Sequence, residues 1–560
     1  MTLHNSNAIA ITLGQPRFES AELTQLALHS GSETAWLLAL TQKDPEQVLQ
    51  AVSGDFAVAL RTFEGDTFLA VDRFAQHTLC YRIVGGELLF SISAKSLVSN
   101  ESEIDVQAIY DYLYFHCIPS PRTIYRDVFR LPPGHYAWFS QGKLTVRSYW
   151  TAPFNEAENL DFKTSKDVFL QTLQDSVGRQ LDGSKPACFL SGGTDSSTVA
   201  GMAARISGHT VDGYSIGFDA EGYDEMTYAR LAAKHFGVRH HEYYVTPADL
   251  VNGIPAMAAY MDQPFGNSSI LPAYYCAKVA RADGASRLLA GDGGDELYGG
   301  NSRYAKQRLF DHYQNVPRFI QRGLLEPALL RSLLGKTPLF RKAASYVEQS
   351  SMPMPDRLQL TNLITRVGAA QVLTPQMLAR LDLTAPLAHQ REVWNAACSS
   401  CSSLNRELAF DWRYTLAESD LPKVRAATGL ADIAVGFPML DDALLNLSLS
   451  LPTDYKLKGQ QLRWFFKEAL RGFLPDAILT KKKQGFGLPF GVWTTRDASL
   501  KALARDSVEG LVSRGIVRAE FSRRLFEVQL NEHPGYYGEM IWILMMLEQW
   551  LRAHAPKFRV

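Results

Sequence analysis

Over the first 150 residues the chain alternates apolar and polar positions in short runs. "AIAITLG", "DFAVALRTF", "TFLAVD", "LCYRIVGGELLFSIS" and "GHYAWFSQGKLTVRSYW" follow one another, with Gly85-Gly86 and Gln141-Gly142 at the turns. A period of two sends successive side chains to opposite faces, and glycine-bearing pairs reverse the chain. This part therefore predicts an antiparallel sheet. Helical spacing interrupts it around 20–51 and 105–115. The polar, proline-bearing stretch "TAPFNEAENLDFKTSKD" reads as a linker, after which the rhythm changes. "PACFLSGG", "VDGYSIGFD", "HHEYYVT" and "SRLLAGDGGDE" are short strand-like runs separated by helix-length segments. That alternation predicts a parallel sheet with helices on both faces. Beyond residue 300 the pattern is helical to the end. "MIWILMMLEQWL" is broken by Glu548 and too short to span a bilayer, so it predicts a buried helix. The expected division is a sheet domain over 1–150, a linker over 151–165 and a second domain over 166–560. The fold class is α/β, an α+β half followed by a parallel-sheet half.

A chain of 560 residues exceeds what one hydrophobic core organises. With 46% hydrophobic and 21% charged residues and a net charge of −1, it is neither a polycation nor a membrane protein. Neither nucleic acid nor membrane is therefore an expected partner. Six cysteines are too sparse for a disulfide framework, and no basic segment precedes an apolar one at the N-terminus. A reducing, cytoplasmic setting is expected.

The candidate chemistry begins at "CFLSGGTDSSTVA". Leu190 leaves a strand, Ser191, Gly192 and Gly193 turn the chain, and Ser196 and Ser197 open a helix. Backbone N–H groups at such a turn attract phosphate, glycines let the backbone close on its oxygens, and the hydroxyls add donors. Asp195 alone repels phosphate, so its presence implies a divalent cation between them. A serine-rich turn that merely caps a helix looks the same locally, and the motifs downstream decide between the two.

"SGGTDSS" resembles the pyrophosphate-binding loop of the ATP pyrophosphatases, and "YSIGFD" resembles the second strand of that fold. "LPPGHYAWFSQGKLTVRSYW", "YDEMTYARLAAKHFGVRHHEYYV", "GDGGDELYGGNSRY" and "KKKQGFGLPFGVW" stand in the order of the asparagine synthetase family, which the chain resembles from about residue 50 to 555. The resemblance implies a degenerate glutaminase-like domain of the N-terminal-nucleophile type, then a PP-loop synthetase domain. It implies an ATP-dependent, AMP-forming carbon–nitrogen ligase that uses ATP and Mg2+. Its substrates would be a small-molecule or peptide carboxylate, activated as an acyl-adenylate, and an amine or ammonia; a homodimer is left open. By the same resemblance Leu190, Ser191, Gly192, Gly193, Asp195, Ser196 and Ser197 hold the phosphates. Ile216 and Gly217 take up the adenine, Gly291 lies by the nucleotide, and Asp195 and Asp295 share magnesium. Asp292 occupies a variable position, where a carboxylate either orients and deprotonates the amine or caps the next turn. Lys456, Arg463 and Lys467 form the basic set expected near the carboxylate or the pentacovalent phosphate, unless they are a solvated helix face. The family has lysine then arginine at the last two positions, and here the order is reversed. Lys481, Lys482 and Lys483 read as exposed charge.

The chain also departs from the family. Glutamine-dependent members begin Met-Cys-Gly, their cysteine attacking glutamine, whereas this chain begins Met1-Thr2-Leu3. The segments "RGPD" and "NGEIYN", which hold glutamine in relatives, are missing, so the N-terminal domain is expected to fold without hydrolysing glutamine. In "LPKVRAATGLADIAVGFPMLD", Arg425 replaces an acid, and Ala434 and Gly436 replace the family's glutamate and arginine. Those changes are expected to redraw the charge of the acyl-substrate pocket and make aspartate a doubtful substrate. Cys398 and Cys401 have no second pair for zinc, and His240 and His241, adjacent on a strand, point apart. Three alternatives stay open: a glutamine-hydrolysing asparagine synthetase, a macrolactam or β-lactam cyclase, and a tRNA-modifying ATP pyrophosphatase.

Overall fold

Strand β1 (Ile9–Gly14) pairs antiparallel with β2 (Phe56–Arg61), β2 with β3 (Thr67–Val71), β3 with β4 (His135–Ser140) and β4 with β5 (Lys143–Ser148). The computed structural model describes residues 9–560 except 63–64, 100–101, 157–159, 182–184, 221, 315, 328–340 and 483–486. Alternation sorts β2 in two directions. Phe56, Val58 and Leu60 pack with Trp36 beneath the helices over 21–50, and Ala57 and Ala59 pack with Leu69, Leu88 and Leu131 beyond the opposite face. Both faces are covered, the second by a three-stranded sheet built from Cys80–Val84, Glu87–Ser91 and Phe129–Arg130.

Helix α1 (Phe162–Gln180) begins inside the stretch read as a linker. A parallel sheet follows, from β6 (Ala187–Phe189), β7 (Asp212–Phe218), β8 (Arg239–Val245), β9 (Arg287–Leu289) and β10 (Ala434–Gly436). Its spatial order is β8-β7-β6-β9-β10. Helices α1, α2 (Thr194–Ile206) and α3 (Met226–Phe236) share one core through Phe169, Val199, Ala200 and Ala232. On the other side α4 (Ile270–Ala282) packs Ala277 and Ala280 against Leu288 of β9. The chain runs outward from β6 through β7 to β8, then returns to β9 on the opposite flank of β6. A crevice opens at the carboxyl ends of strands where the order reverses, the usual ligand position in such sheets. The fifth strand, β10, was not among the strand-like runs read in the sequence. It is three residues long and enters only after a long helical excursion.

A π-helical stretch, Trp412–Asp420, leads into α5 (Leu421–Leu430), which packs on α4. The apolar C-terminal run is α6 (Pro534–His554), with residues 540–551 buried as expected. It joins one continuous core with the N-terminal helix Val106–Phe115, where the Tyr112 hydroxyl donates to the Ile543 carbonyl at 2.8 Å. Among the described residues no helix is long and apolar enough to cross a membrane.

Candidate active site

Two loops leave the adjacent strands β6 and β9 and meet. After β6, Gly192 adopts φ +73°, and a Cβ there would lie 2.5 Å from the Ala229 backbone nitrogen of α3. Only glycine lets the turn press so closely on the next helix. The Ser191 N–H donates to Ser196 Oγ at 3.1 Å and the two hydroxyls lie 2.8 Å apart, so the turn is tied to the first turn of α2. Gly193 is the N-cap and gives that helix no side-chain cap, and the first turn opens on the crevice. After β9, a Cβ on Gly291 would come within 2.7 Å of the Ser196 nitrogen. That contact brings Asp195, in the first turn of α2, to Asp295 of the short helix Gly294–Tyr298.

Arg463 joins them. Its Nη1 donates to Asp195 Oδ2 and Asp295 Oδ1, each at 2.7 Å, and to Thr194 Oγ1 at 3.0 Å, while Nη2 donates to Asp195 Oδ1. The residue is 4% exposed, sits at φ +57°, and lays its guanidinium 3.8 Å from the centroid of the Phe466 ring.

Around this junction lies a cleft of about 800 Å³. Of the residues read from the sequence, Leu190, Ser191, Gly193, Asp195, Ser196, Ile216, Gly291, Asp292, Asp295, Arg463 and Lys467 line it. Gly192, Ser197, Gly217 and Lys456 do not. Gly192 faces α3 and Gly217 faces the Tyr244 ring, while Ser197 and Lys456 are buried. Residues missed by the sequence reading complete the wall. Tyr214, Ser215 and Cys276 stand with Ile216 on the β7 side, and Asp420 and Lys423 enter from the end of the π-helical stretch and from α5. Lys423 Nζ lies 2.9 Å from Asp420 and 3.7 Å from Asp292. Burial pushes the Asp292 carboxyl up to about 6, against the pull of Lys423. Burial also holds Lys467 below the ordinary lysine range, and the neighbouring Arg463 charge adds to this.

The sequence profile described as asparagine synthase matches residues 169–552, well over half of the chain. The chain belongs to the asparagine synthase family. Membership makes it an ATP-dependent carbon–nitrogen ligase. A second profile, a glutamine amidotransferase domain, matches residues 19–150. Among curated relatives, asparagine synthetase [glutamine-hydrolyzing] 1 of Bacillus subtilis is 23% identical over 96% of this chain and 84% of its own length. A putative asparagine synthetase [glutamine-hydrolyzing] of Mycobacterium tuberculosis is 26% identical over 80% of this chain and 69% of its own. Putative asparagine synthetase [glutamine-hydrolyzing] 2 of Methanocaldococcus jannaschii is 29% identical over 54% and 60%.

Within this asparagine synthase-family chain, the substitutions over 421–441 do not act where the sequence suggested. Arg425 points away from the cleft into a second cavity, between the two halves, where its Nη2 donates to His77 Nδ1 at 2.6 Å. His77 in turn meets Asp55 at 2.9 Å. Ala434 is exposed on β10 and Gly436 packs against Gln180, neither lining the cleft. None of the side chains now at these three positions lines the cleft. Lys481 corrects a second expectation. It lines the cleft and pairs with Glu225 at 2.9 Å, its side chain 8% exposed, and Lys482 lines the cleft beside it. Lys483 and Thr2 lie outside the described residues.

Lys456 Nζ donates to Asn405 Oδ1 at 2.7 Å and lies 4.8 Å from the Phe154 ring centroid, and burial brings its pKa down to about 7. Between about 7 and the ordinary lysine value, the unfolded chain holds a proton that the folded chain has released. Stability contributed here therefore rises with pH through that window. Thermal melts of wild type and Lys456→Met from pH 6 to 9 check this. The wild type should gain on the variant as pH rises, and two parallel curves would contradict the sign.

As for magnesium, the donors suit a hard cation. Two carboxylates face one point, close enough to share a single guanidinium nitrogen, and phosphate oxygens would complete the set. Among the described residues no cluster of three or more His, Cys, Asp or Glu side chains is placed to hold a metal unaided.

Proposed function

We propose that this ligase activates a carboxylate with ATP as an acyl-adenylate and passes the acyl group to an amine or ammonia, without hydrolysing glutamine itself. A carboxylate oxygen attacks the α-phosphorus, the bond to the bridging oxygen of the β-phosphate breaks, and pyrophosphate leaves. The amine then attacks the acyl carbon, AMP departs with its oxygen, and a proton passes from nitrogen to Asp292. The observation that carries this reading is the meeting of Asp195, Asp295 and Arg463 at the open N-terminus of α2, at the switch point of the sheet.

In this scheme the backbone from Leu190 to Gly193, with Ser196, cradles the phosphates, and Ser197 and Gly192 shape that turn from behind. The β7 backbone at Ile216 and Gly217 receives the adenine, and Gly291 keeps the second loop close. Arg463 and Lys467 face the charge that develops on phosphorus. Lys456 supports them indirectly, because its carbonyl accepts the Arg463 N–H at 2.7 Å. Magnesium held by Asp195, Asp295 and the phosphates would neutralise the leaving pyrophosphate.

For the nitrogen source we propose an amine or free ammonia. The first cysteine of the chain is Cys80, buried in a strand, and a nucleophile of the N-terminal type needs its own α-amine beside the thiol. Incubation with ATP and a panel of carboxylates should yield pyrophosphate and AMP in equal amounts, with ammonium or an amine sufficient as nitrogen donor. Glutamine should release no glutamate. ADP and phosphate in place of AMP would refute the first part, and glutamate release abolished by Thr2→Ala would refute the second.

A further inference from the structure

Arg463 is held in a way that a simple substrate-binding arginine is not. Its backbone lies in the left-handed region, a conformation that costs a non-glycine residue about 1–2 kcal/mol. Its Nε is buried without a hydrogen-bond partner. Both terminal nitrogens are spent on carboxylates and on Thr194, and the ring of Phe466 closes one face of the guanidinium. The planar fork thus bridges two acids on separate loops, which a point-charge ammonium cannot do with the same geometry. The cationic group lies where one ion would reach both Asp195 and Asp295.

We propose that Arg463 is the resident counter-cation of this aspartate pair, so that the pair accepts a divalent cation only as a complex with a nucleoside triphosphate and not as the free ion. The inference rests on the nucleotide reading of the cleft. Free metal meets two carboxylates whose charge one guanidinium has halved and whose oxygens it already engages, so it gains less to offset its dehydration. A triphosphate changes this by bringing acceptor oxygens to which the guanidinium transfers its hydrogen bonds. The carboxylates are then released to the metal in the same event. Nucleotide and metal should consequently bind with strong mutual cooperativity, reciprocal by linkage.

The test uses the full-length chain and the paramagnetic signal of free Mn2+, without nucleotide and with α,β-methylene ATP, which cannot be split between its α and β phosphates. Wild type should bind Mn2+ alone at least about tenfold more weakly than in the presence of the analogue. Arg463→Ala should bind Mn2+ alone about tenfold more tightly than wild type, and adding Asp195→Asn should remove that gain. Arg463→Lys, which keeps the charge and loses the fork, should fall between them, and it serves if the alanine variant does not fold by thermal melt. Wild type binding free Mn2+ as tightly as the Arg463 variants would overturn the inference while leaving the nucleotide reading intact. Failure of the analogue to bind in equilibrium dialysis, with or without Mn2+, would overturn both.

Discussion

Asp195→Asn and Asp295→Asn are each expected to lower ATP-dependent pyrophosphate release by a factor on the order of 10³. The amide keeps the size and most of the shape of the carboxylate and removes only its charge. Each aspartate stands in the first turn of a different helix, so neither substitution disturbs the element that carries the other. What is removed is the negative charge that, on the proposed reading, anchors a cation against the phosphates. Each single variant still leaves Arg463 one carboxylate partner and should fold. The double variant leaves a buried guanidinium with none of its acids, and breaking a buried pair outright costs about 3–5 kcal/mol. Its melting temperature should therefore fall well below that of either single variant. Single variants that retain wild-type turnover would remove both residues from the chemistry.

Asp292→Asn is expected to slow amide formation by about 10²- to 10⁴-fold, the range ordinarily contributed by a general base. It should do so with little effect on the carboxylate-dependent exchange of labelled pyrophosphate into ATP. Asp292 titrates at about 6, so amide formation in the wild type should rise with pH through that value and then level, and the variant should be flat there. Lys423 pulls that carboxyl downward from 3.7 Å, and Lys423→Met should move the midpoint to higher pH. The same group makes a stability prediction of fixed sign. Between the ordinary carboxylate value and about 6, the folded chain keeps a proton that the unfolded chain has released. Wild type should thus lose stability relative to Asp292→Asn as pH rises through that window. Equal loss of exchange and of amide formation would assign Asp292 to the fold or to the first half-reaction.

Much of the architecture was legible because it follows from periodicity. The period-two runs of the first 150 residues gave the five-stranded antiparallel sheet, and the strand-then-glycine pattern beyond them gave four of the five strands of the parallel sheet. The motifs at Ser191–Ser197 and Gly291–Asp295 were legible because a backbone that approaches another backbone needs glycine, and a loop that holds cations needs carboxylates. Other features depend on contacts far apart in the sequence. Asp420 and Lys423 look like ordinary helix charges until α5 is docked on α4 beside the β9 loop. Arg425 was misread for a related reason. Two residues along a helix rotate a side chain by about 200°, so with Lys423 in the cleft Arg425 must face the opposite side. Lys456 and Arg463 read as one basic set, and the tight hairpin between them separates their side chains, one into the core and one to the aspartates. Arg463 and Lys467 do share the cleft, although Arg463 stands before its helix in a left-handed conformation and not on its face.

The most direct measurement is a crystal structure of the full-length chain with α,β-methylene ATP and magnesium. The triphosphate should lie on the backbone of residues 190–197 with the metal at Asp195 and Asp295, and the adenine should lie along β7 at Ile216. A nucleotide seated elsewhere, or that loop bare at saturating analogue, would contradict the account.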